Sequence, residues 1–387
     1  METTLHKNME NLQNFKIEKD IVRRGKKRCR NNEEIADYYL ELGEKRQNST
    51  LIKKYDHLRQ CFKTWSVDYY KKQKVKDVKK VLHCKDIFCF NCQSQLSDQR
   101  LAKYAPFFDD ISEAFDLYHI THTVPNPLGP ELKETVDRMY ERYVYLNQYI
   151  QCKRKVKGLD LSFLGWVGTV RTLEIKSKIT DKGIEYHPHF HCIYIFKKGL
   201  RGLTKPNLKN VNSFSFNEGK KGVQRFFSDF EILMQKLWYL IYNGIKVTCD
   251  NIMDLKEGYS GTVDKCKPGQ YHEVFKYVIK GTFKDSVFAY DYDSFRYLYD
   301  TLHGRHVIEG YGCLKGLKFN ADEEDSEALA EYKKIVDELN ANEKPWEGHE
   351  NVNDVLANMG AGITYISKNK IAKNIPKKGN KSKRSKK

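Results

Sequence analysis

Alternating and helically spaced apolar residues divide the middle of the chain into strands and helices. Leu117–Val124 is rich in β-branched and aromatic residues and stops at a proline-containing turn, which predicts a strand. Two further apolar runs, Phe163–Ile175 and His187–Phe196, flank a polar segment with an Asp-Lys-Gly turn, and we expect them to pair antiparallel. These runs predict a central antiparallel sheet.

Apolar residues at helical spacing predict helices before, between and after these strands. One helix is expected over Glu131–Gln151, and a second from Phe226 to Ile241, where a glycine follows as a stop signal. A shorter helix is expected over Gln93–Lys103. The predicted fold class is therefore α+β, with a central antiparallel sheet and flanking helices.

Composition changes along the chain and predicts five segments. They are a basic, weakly ordered arm (1–52), a cysteine-rich segment with a helix (53–103), the main α+β domain (104–320), an acidic helical extension (321–367) and a basic disordered tail (368–387). The main domain carries the predicted sheet. The tail is almost entirely lysine, arginine, asparagine, glycine and serine, which cannot build an apolar core.

The charge of the chain favours a polyanionic partner. With 68 Lys+Arg against 51 Asp+Glu the formal net charge is +17, which points to nucleic acid. No stretch approaches the roughly 18 consecutive apolar residues of a membrane-spanning helix, so no membrane partner is expected. The first residues lack an apolar signal core, which predicts a cytoplasmic location. In a reducing compartment, clustered cysteines indicate a metal site before they indicate disulfides.

One cluster of cysteines has the spacing of a structural zinc site. Cys84, Cys89 and Cys92 fall within nine residues, and the earlier Cys61 can complete a tetrahedral set of thiolates around Zn²⁺. His83 is a possible substitute ligand. The alternatives are redox chemistry at the Cys-x-x-Cys pair and buried thiols without a metal. The six remaining cysteines do not cluster, and none is expected to be a ligand.

A cluster of histidines predicts a second metal site. His187, His189 and His191 alternate along a predicted strand, and residues at i and i+2 share a face, so His189 and His191 can hold one ion. Glu174, in the preceding strand, is a candidate third ligand. Imidazole and carboxylate ligands with open positions suit Mg²⁺ or Mn²⁺ acting on a phosphate, and Zn²⁺ would also bind. The alternative is that the histidines are ordinary strand residues.

A third group of residues suggests a nucleophile. Glu273 and Tyr277 lie four apart in a short helical pattern that closes at Gly281, so the two would share one face of a helix. Lys276 and Lys280 would be close enough to contact a phosphate or to favour the phenolate, which a phenol with a pKa of about 10 needs at neutral pH. Among 25 tyrosines this pair is a weak signal alone, and the histidine cluster strengthens it.

In this order, the motifs resemble those of the rolling-circle replication initiators of small Gram-positive plasmids, within the His-hydrophobic-His endonuclease superfamily. His187–His191 is similar to the metal-binding motif of that family, and Glu273–Tyr277 to its catalytic motif. Thr121–Asn126 is similar to its first-strand motif, and Cys84–Cys92 with Cys61 to its cysteine motif. The resemblance implies an antiparallel sheet with the histidines on a middle strand, preceded by an N-terminal cysteine-rich zinc-binding segment. It also implies a replication origin as partner, as single-stranded or cruciform DNA, and host helicase and replication proteins in a bacterial cytoplasm.

The resemblance further implies roles for individual residues. His189 and His191, with Glu174, would hold a divalent metal against the scissile phosphate. Tyr277 would attack that phosphate, which leaves a 5′-phosphotyrosine link and a free 3′-hydroxyl primer. Glu273 would later activate water as a general base, so that a second cut ends the reaction by hydrolysis.

Other functions are compatible with parts of the sequence. A relaxase or a transposase of the same superfamily would share the nicking chemistry. A non-catalytic, zinc-stabilised DNA-binding regulator would use the basic surface while its histidines are structural. A zinc hydrolase for a small substrate is disfavoured by the charge and by the absence of His-Glu-x-x-His.

Overall fold

The computed structural model describes residues 12–199, 215–217, 224–256, 258–259, 261–269, 271, 274–275, 279–280, 291–317 and 326–368. The fold is α+β, with two mostly antiparallel sheets of four and six strands, a two-stranded antiparallel pair, and helices. The chain divides into two compact units: the first combines Met1–Asp98 with Phe319–Lys387, and the second is Gln99–Lys318. None of the helices in this described part combines the length and hydrophobicity that crossing a membrane requires.

The helices are α1 (Lys19–Lys45), α2 (Ser49–Gln60), α3 (Phe90–Ile111), α4 (Gly129–Ile150), α5 (Asp229–Tyr242), α6 (Cys249–Asp254), α7 (Tyr292–Leu302), α8 (Ser326–Asn342) and α9 (Val352–Gly360). The strands are β1 (Thr64–Tyr70), β2 (Val75–Val81), β3 (Phe115–Thr123), β4 (Trp166–Thr180), β5 (Gly183–Lys197), β6 (Ser215–Asn217), β7 (Gln224–Phe226), β8 (Val263–Lys265), β9 (Ile279–Lys280), β10 (Ile308–Gly312), β11 (Trp346–Asn351) and β12 (Thr364–Ile366).

The first unit contains a four-stranded sheet in the order β11-β1-β2-β12, antiparallel except for the parallel pair of β2 and β12. Its N-terminal part is not the weakly ordered arm that composition predicts for residues 1–52. Lys19–Lys45 instead forms a 27-residue helix, because Ile35, Tyr39 and Leu42 recur on one face and are buried. Tertiary packing of this apolar face outweighs the basic composition.

The acidic extension belongs to the first unit and is not a separate segment. In α8, Tyr332, Ile335 and Leu339 pack in one core cluster with Tyr70 and Ile366 from the sheet. The two ends of the chain therefore belong to one compact unit with the cysteine-rich residues, and the predicted boundary near 52 separates residues that fold together. The predicted main domain (104–320) nearly coincides with the second unit, Gln99–Lys318. The predicted disordered tail lies outside the described residues, apart from Lys368.

The second unit is built on the predicted central sheet, in the order β10-β4-β5-β3-β8, with β9 beside β4. The predicted antiparallel pairing of the two long apolar runs is confirmed: β4 and β5 form a hairpin whose register runs from Thr180↔Gly183 to Trp166↔Phe196. The helices expected near residues 93, 131 and 226 are also present, as α3, α4 and α5. Strand β5 lies between β4 and β3 and is a middle strand.

The two faces of this sheet carry different side chains. On one face, Val170, Ile193 and Ile195 form a core cluster that also contains Tyr104 and Phe108 of α3. The opposite face packs aromatic rings of β5 against α4 and α5, and here His122 is fully buried beside Tyr194, with its Nε2 3.1 Å from the tyrosine hydroxyl oxygen. Burial lowers the pKa of His122 to about 3, so it is a neutral core histidine.

Candidate metal centres

The hairpin brings together the three side chains that the sequence suggests as metal ligands. Glu174 of β4 lies directly across from His189 of β5, and His191 is two residues further along the same face. The two imidazole Nε2 atoms are 3.0 Å apart, and the Glu174 Oε2 atom lies 2.8 Å from Nε2 of His191 and 3.7 Å from Nε2 of His189. Ligands at about 2.1 Å from one ion and at right angles are about 3 Å apart, so this spacing fits a shared ion.

Burial keeps His189 neutral, and a hydrogen bond at its Nδ1 leaves its Nε2 free of a proton. All three side chains of this Glu174–His189–His191 group are buried. Burial, reinforced by His191, lowers the pKa of His189 to about 3. Its Nδ1 lies 2.9 Å from the backbone carbonyl oxygen of His187 and donates to it, which leaves the Nε2 lone pair directed at the group. A neutral imidazole is the form that binds a metal.

A fourth histidine, His119 of β3, supports the group and has no counterpart in the sequence-based prediction. Its Nε2 lies 2.9 Å from Nδ1 of His191, and the two rings stack at 5.1 Å between centroids. If Nε2 of His191 binds a metal, the Nδ1–H of His191 would donate to Nε2 of His119. This hydrogen bond would orient the His191 ring. Only the pairing of β3 with β5 could reveal this contact, since 72 residues separate the two histidines.

We expect His119→Phe to weaken binding of Mn²⁺ about 10- to 100-fold, because it keeps a stacking ring but removes the acceptor that orients His191. Isothermal titration of the full chain with Mn²⁺ measures this change. His119→Gln supplies a side-chain oxygen as acceptor and should recover most of the affinity. Equal affinities for wild type and His119→Phe would show that His119 does not position the ligand.

The remaining polar residues of this face lie at the edge of the group. His187 sits across from Lys176, and its Nδ1 is 2.7 Å from Oδ1 of Asn126, so it is outside the set of three ligands. Burial, with Lys176 adding to it, lowers the pKa of His187. The ammonium of Lys176 is half-exposed and lies 3.6 Å from Oε1 of Glu174, which places a cation beside the group.

The residues predicted to carry the nucleophile are only partly within the described chain. Glu273, Lys276, Tyr277 and the side chain of Lys280 lie outside it. Val274 and Phe275 are described and buried in a turn. The predicted helix through Lys280 is wrong at Ile279–Lys280, which form strand β9 and pair in parallel with Ile175 and Lys176. Strand β10 pairs only with Gly168–Thr172 of β4. The edge of β4 after Thr172 is therefore open, and Ile279–Lys280 pair with it as a strand.

The four predicted zinc ligands also meet. The Sγ atom of Cys92 lies 3.6 Å from those of Cys61 and Cys84, and the Sγ atoms of Cys61 and Cys89 are 3.4 Å apart. Four thiolates around Zn²⁺ at about 2.3 Å would be about 3.8 Å apart, which is close to these distances. This four-cysteine group could hold a zinc ion. His83 stays further away, with its Nδ1 3.9 Å from Sγ of Cys92.

Backbone hydrogen-bond donors around the four-cysteine group would stabilise ionised sulfur atoms. The backbone N–H groups of Cys84 and Lys85 donate to Sγ of Cys61 and Cys92, at 3.4 and 3.1 Å. Hydrogen bonding with neighbouring thiols, Cys84 first, raises the pKa of Cys61, so four ionised sulfurs need a cation among them. The group is not an N-terminal module as expected, because α1 and α2 precede it and its neighbour Asn32 lies on α1.

In comparisons with known proteins, the chain matches no family model, no curated protein and no solved structure.

Proposed function

We propose that the second unit is a metal-dependent endonuclease of the rolling-circle initiator type, which cuts one DNA strand with Tyr277 and stays linked to the new 5′ end. The observation that carries the proposal is the buried Glu174–His189–His191 group on the central hairpin. Two imidazoles and one carboxylate leave coordination positions open for phosphate oxygens. An Mg²⁺ or Mn²⁺ ion bound there supplies Lewis-acid polarisation of the scissile phosphate.

The described residues on both sides of Tyr277 support its assignment to this group. Val274 and Phe275 belong to the same core cluster as Ile193, which shares a sheet face with His191 two residues before it. On the other side, Ile279 pairs with Ile175, the neighbour of Glu174. Tyr277 is two residues from both Phe275 and Ile279, and each residue extends the chain by at most about 3.5 Å.

The proposed reaction stores the energy of the cut bond. The Tyr277 phenolate attacks the scissile phosphorus, the P–O bond to the 3′ oxygen breaks, and the products are a 5′-phosphotyrosine and a 3′-hydroxyl that a polymerase can extend. Lys276 and Lys280 would contact the phosphate, and Lys176 adds a cation already beside Glu174. Glu273 would deprotonate the water that ends the cycle. The substrate would be single-stranded or cruciform DNA at a replication origin.

The same chemistry would serve a relaxase or a transposase, and these differ from an initiator only in what happens after the cut. A zinc-stabilised regulator that binds DNA without cutting it is the alternative from another class. The four-cysteine group is compatible with all of them, because its proposed role is structural. Covalent capture of DNA is the property that separates the nicking enzymes from the regulator.

The proposal predicts that the full chain, incubated with Mn²⁺ and a pool of labelled single-stranded oligonucleotides, forms an adduct that survives denaturing electrophoresis. His191→Ala removes one of the three ligands and should lose the adduct, as should treatment with a chelator. His349→Ala changes an exposed histidine of the first unit and should leave the adduct unchanged. If DNA binds but no adduct forms, with origin DNA included, the chain is a non-catalytic regulator.

A further inference from the structure

The first half of α1 is strongly basic. Residues 19–30 contain seven lysines and arginines and one acidic residue, Asp20. The proposed nicking reaction, in the other unit, uses none of them. Seven cations on about three helical turns repel each other, so such a concentration on a folded helix indicates an anionic partner.

The inward face of this half is held against the four-cysteine group. The amide nitrogen of Asn32 donates to Sγ of Cys89 at 3.2 Å, and the thiol of Cys29 donates to the carbonyl oxygen of Cys61 at 3.5 Å. One turn earlier, Gly25 packs so closely on the Phe62 ring that a methyl group at this position would overlap it. A glycine inside a helix costs about 1 kcal/mol relative to alanine, and here it permits this close contact. The helix is therefore fixed at three successive turns.

The outward face carries a line of cations, which we call the basic stripe: Arg23, Lys27 and Arg30. Their spacing of i, i+4 and i+7 places them on one side of the helix, opposite Asn32 and its neighbours, and all three are exposed. Arg23 pairs with Asp20 at 3.2 Å across solvent-exposed side chains. In the described part of the chain, neither Lys27 nor Arg30 has a carboxylate oxygen within 4 Å, so their charges are not neutralised internally.

We infer that the basic stripe is a binding surface for the backbone of duplex DNA, held in place by the four-cysteine group. An α-helix is about 10–12 Å wide and fits the roughly 12 Å major groove, and seven residues at about 1.5 Å each span about 10 Å along that groove. Contacts of this kind go to phosphates, so they position the protein without selecting a sequence. The surface goes beyond the proposed nicking activity, because it binds duplex whether or not the second unit cuts.

The test is the salt dependence of duplex binding. A labelled DNA duplex of about 20 base pairs is titrated with the full chain at several salt concentrations, and fluorescence anisotropy reports binding. Each phosphate contact contributes about 0.9 to the slope of log affinity against log salt, so the triple variant R23Q/K27Q/R30Q should lower the slope by about 2 to 3. The loss should be similar for unrelated duplex sequences.

A matched variant separates this surface from general electrostatics. K71Q/K74Q/K80Q removes the same charge from exposed lysines of the same unit and should change the slope by less than 1. Equal losses in both triples, no loss in the stripe variant, or tighter binding of duplex RNA than of the same DNA duplex would each overturn the inference. Zinc content checks that the stripe variant is folded. Formation of the single-strand adduct is scored separately, so failure of the nicking proposal remains distinguishable.

Discussion

Tyr277→Phe should abolish the covalent protein–DNA adduct while DNA binding is retained. The substitution removes only the phenol oxygen that would attack phosphorus, and loss of a nucleophile costs on the order of 10³- to 10⁶-fold in rate. The ring and the metal ligands remain, so affinity for single-stranded DNA should change little. The measurement is adduct formation with Mn²⁺ on a denaturing gel, followed by mapping of the modified peptide by mass spectrometry.

Tyr271→Phe is the matched control for this prediction. Tyr271 lies six residues earlier, is buried, and donates its hydroxyl to Oδ1 of Asp109 at 2.7 Å, so it has a structural role. Its replacement should leave the adduct in place, with a small loss of stability from one lost hydrogen bond, since Oδ1 of Asp109 still accepts from the backbone N–H of Gly269 at 3.2 Å. An adduct that persists in Tyr277→Phe would place the nucleophile elsewhere. Cleavage without an adduct in wild type would indicate attack by water and exclude the tyrosine mechanism.

Cys89→Ser should release zinc and unfold the first unit. A structural zinc site supplies on the order of 10 kcal/mol to folding in small zinc domains, and serine replaces a thiolate that the set of four requires. The core of this unit is built around the site, since Cys61, Cys89 and Cys92 lie in one cluster with Trp65 and Val67. Zinc released on thiol modification, counted with a chromogenic chelator, and thermal unfolding followed by circular dichroism measure the two effects.

Cys29→Ala tests whether the effect comes from ligation or only from a buried cysteine. Cys29 lies in the same cluster, but it is outside the group of four, and burial raises the pKa of its thiol to about 11. The Cys29→Ala variant should therefore retain one zinc per four-cysteine group. It should lose only the stability that the packed Cys29 side chain contributes. Equal zinc content in wild type and Cys89→Ser would show that the four sulfurs do not bind zinc together.

Loss of zinc should also affect duplex binding by the basic stripe. Asn32 donates to Cys89, so loss of the metal should loosen α1 at the turn after Arg30. Duplex binding by Cys89→Ser should then weaken along with its fold, whereas the stripe variant should bind duplex poorly while its zinc content stays normal.

The pattern of residues along the chain specifies the hairpin and most members of the two candidate metal groups. Alternation over Phe163–Ile175 and His187–Phe196 specifies strands, and a period of two residues puts His189 and His191 on one face whatever the remaining fold. The same pattern indicates Glu174 as the third member of the group, because a carboxylate in an apolar strand needs a partner on the facing strand. The close spacing of Cys84, Cys89 and Cys92 likewise limits them to one neighbourhood.

Tertiary packing sets which distant residues complete these groups. His119 reaches His191 across 72 residues through the pairing of β3 with β5, and Asn32 reaches Cys89 across 57 through helix packing. Composition suggested a loose arm at α1, yet burial of its apolar face makes it a helix. The short β9 is a strand because β4 offers it an edge. Each of these outcomes depends on partners far away in sequence, and local propensity contains no information about such partners.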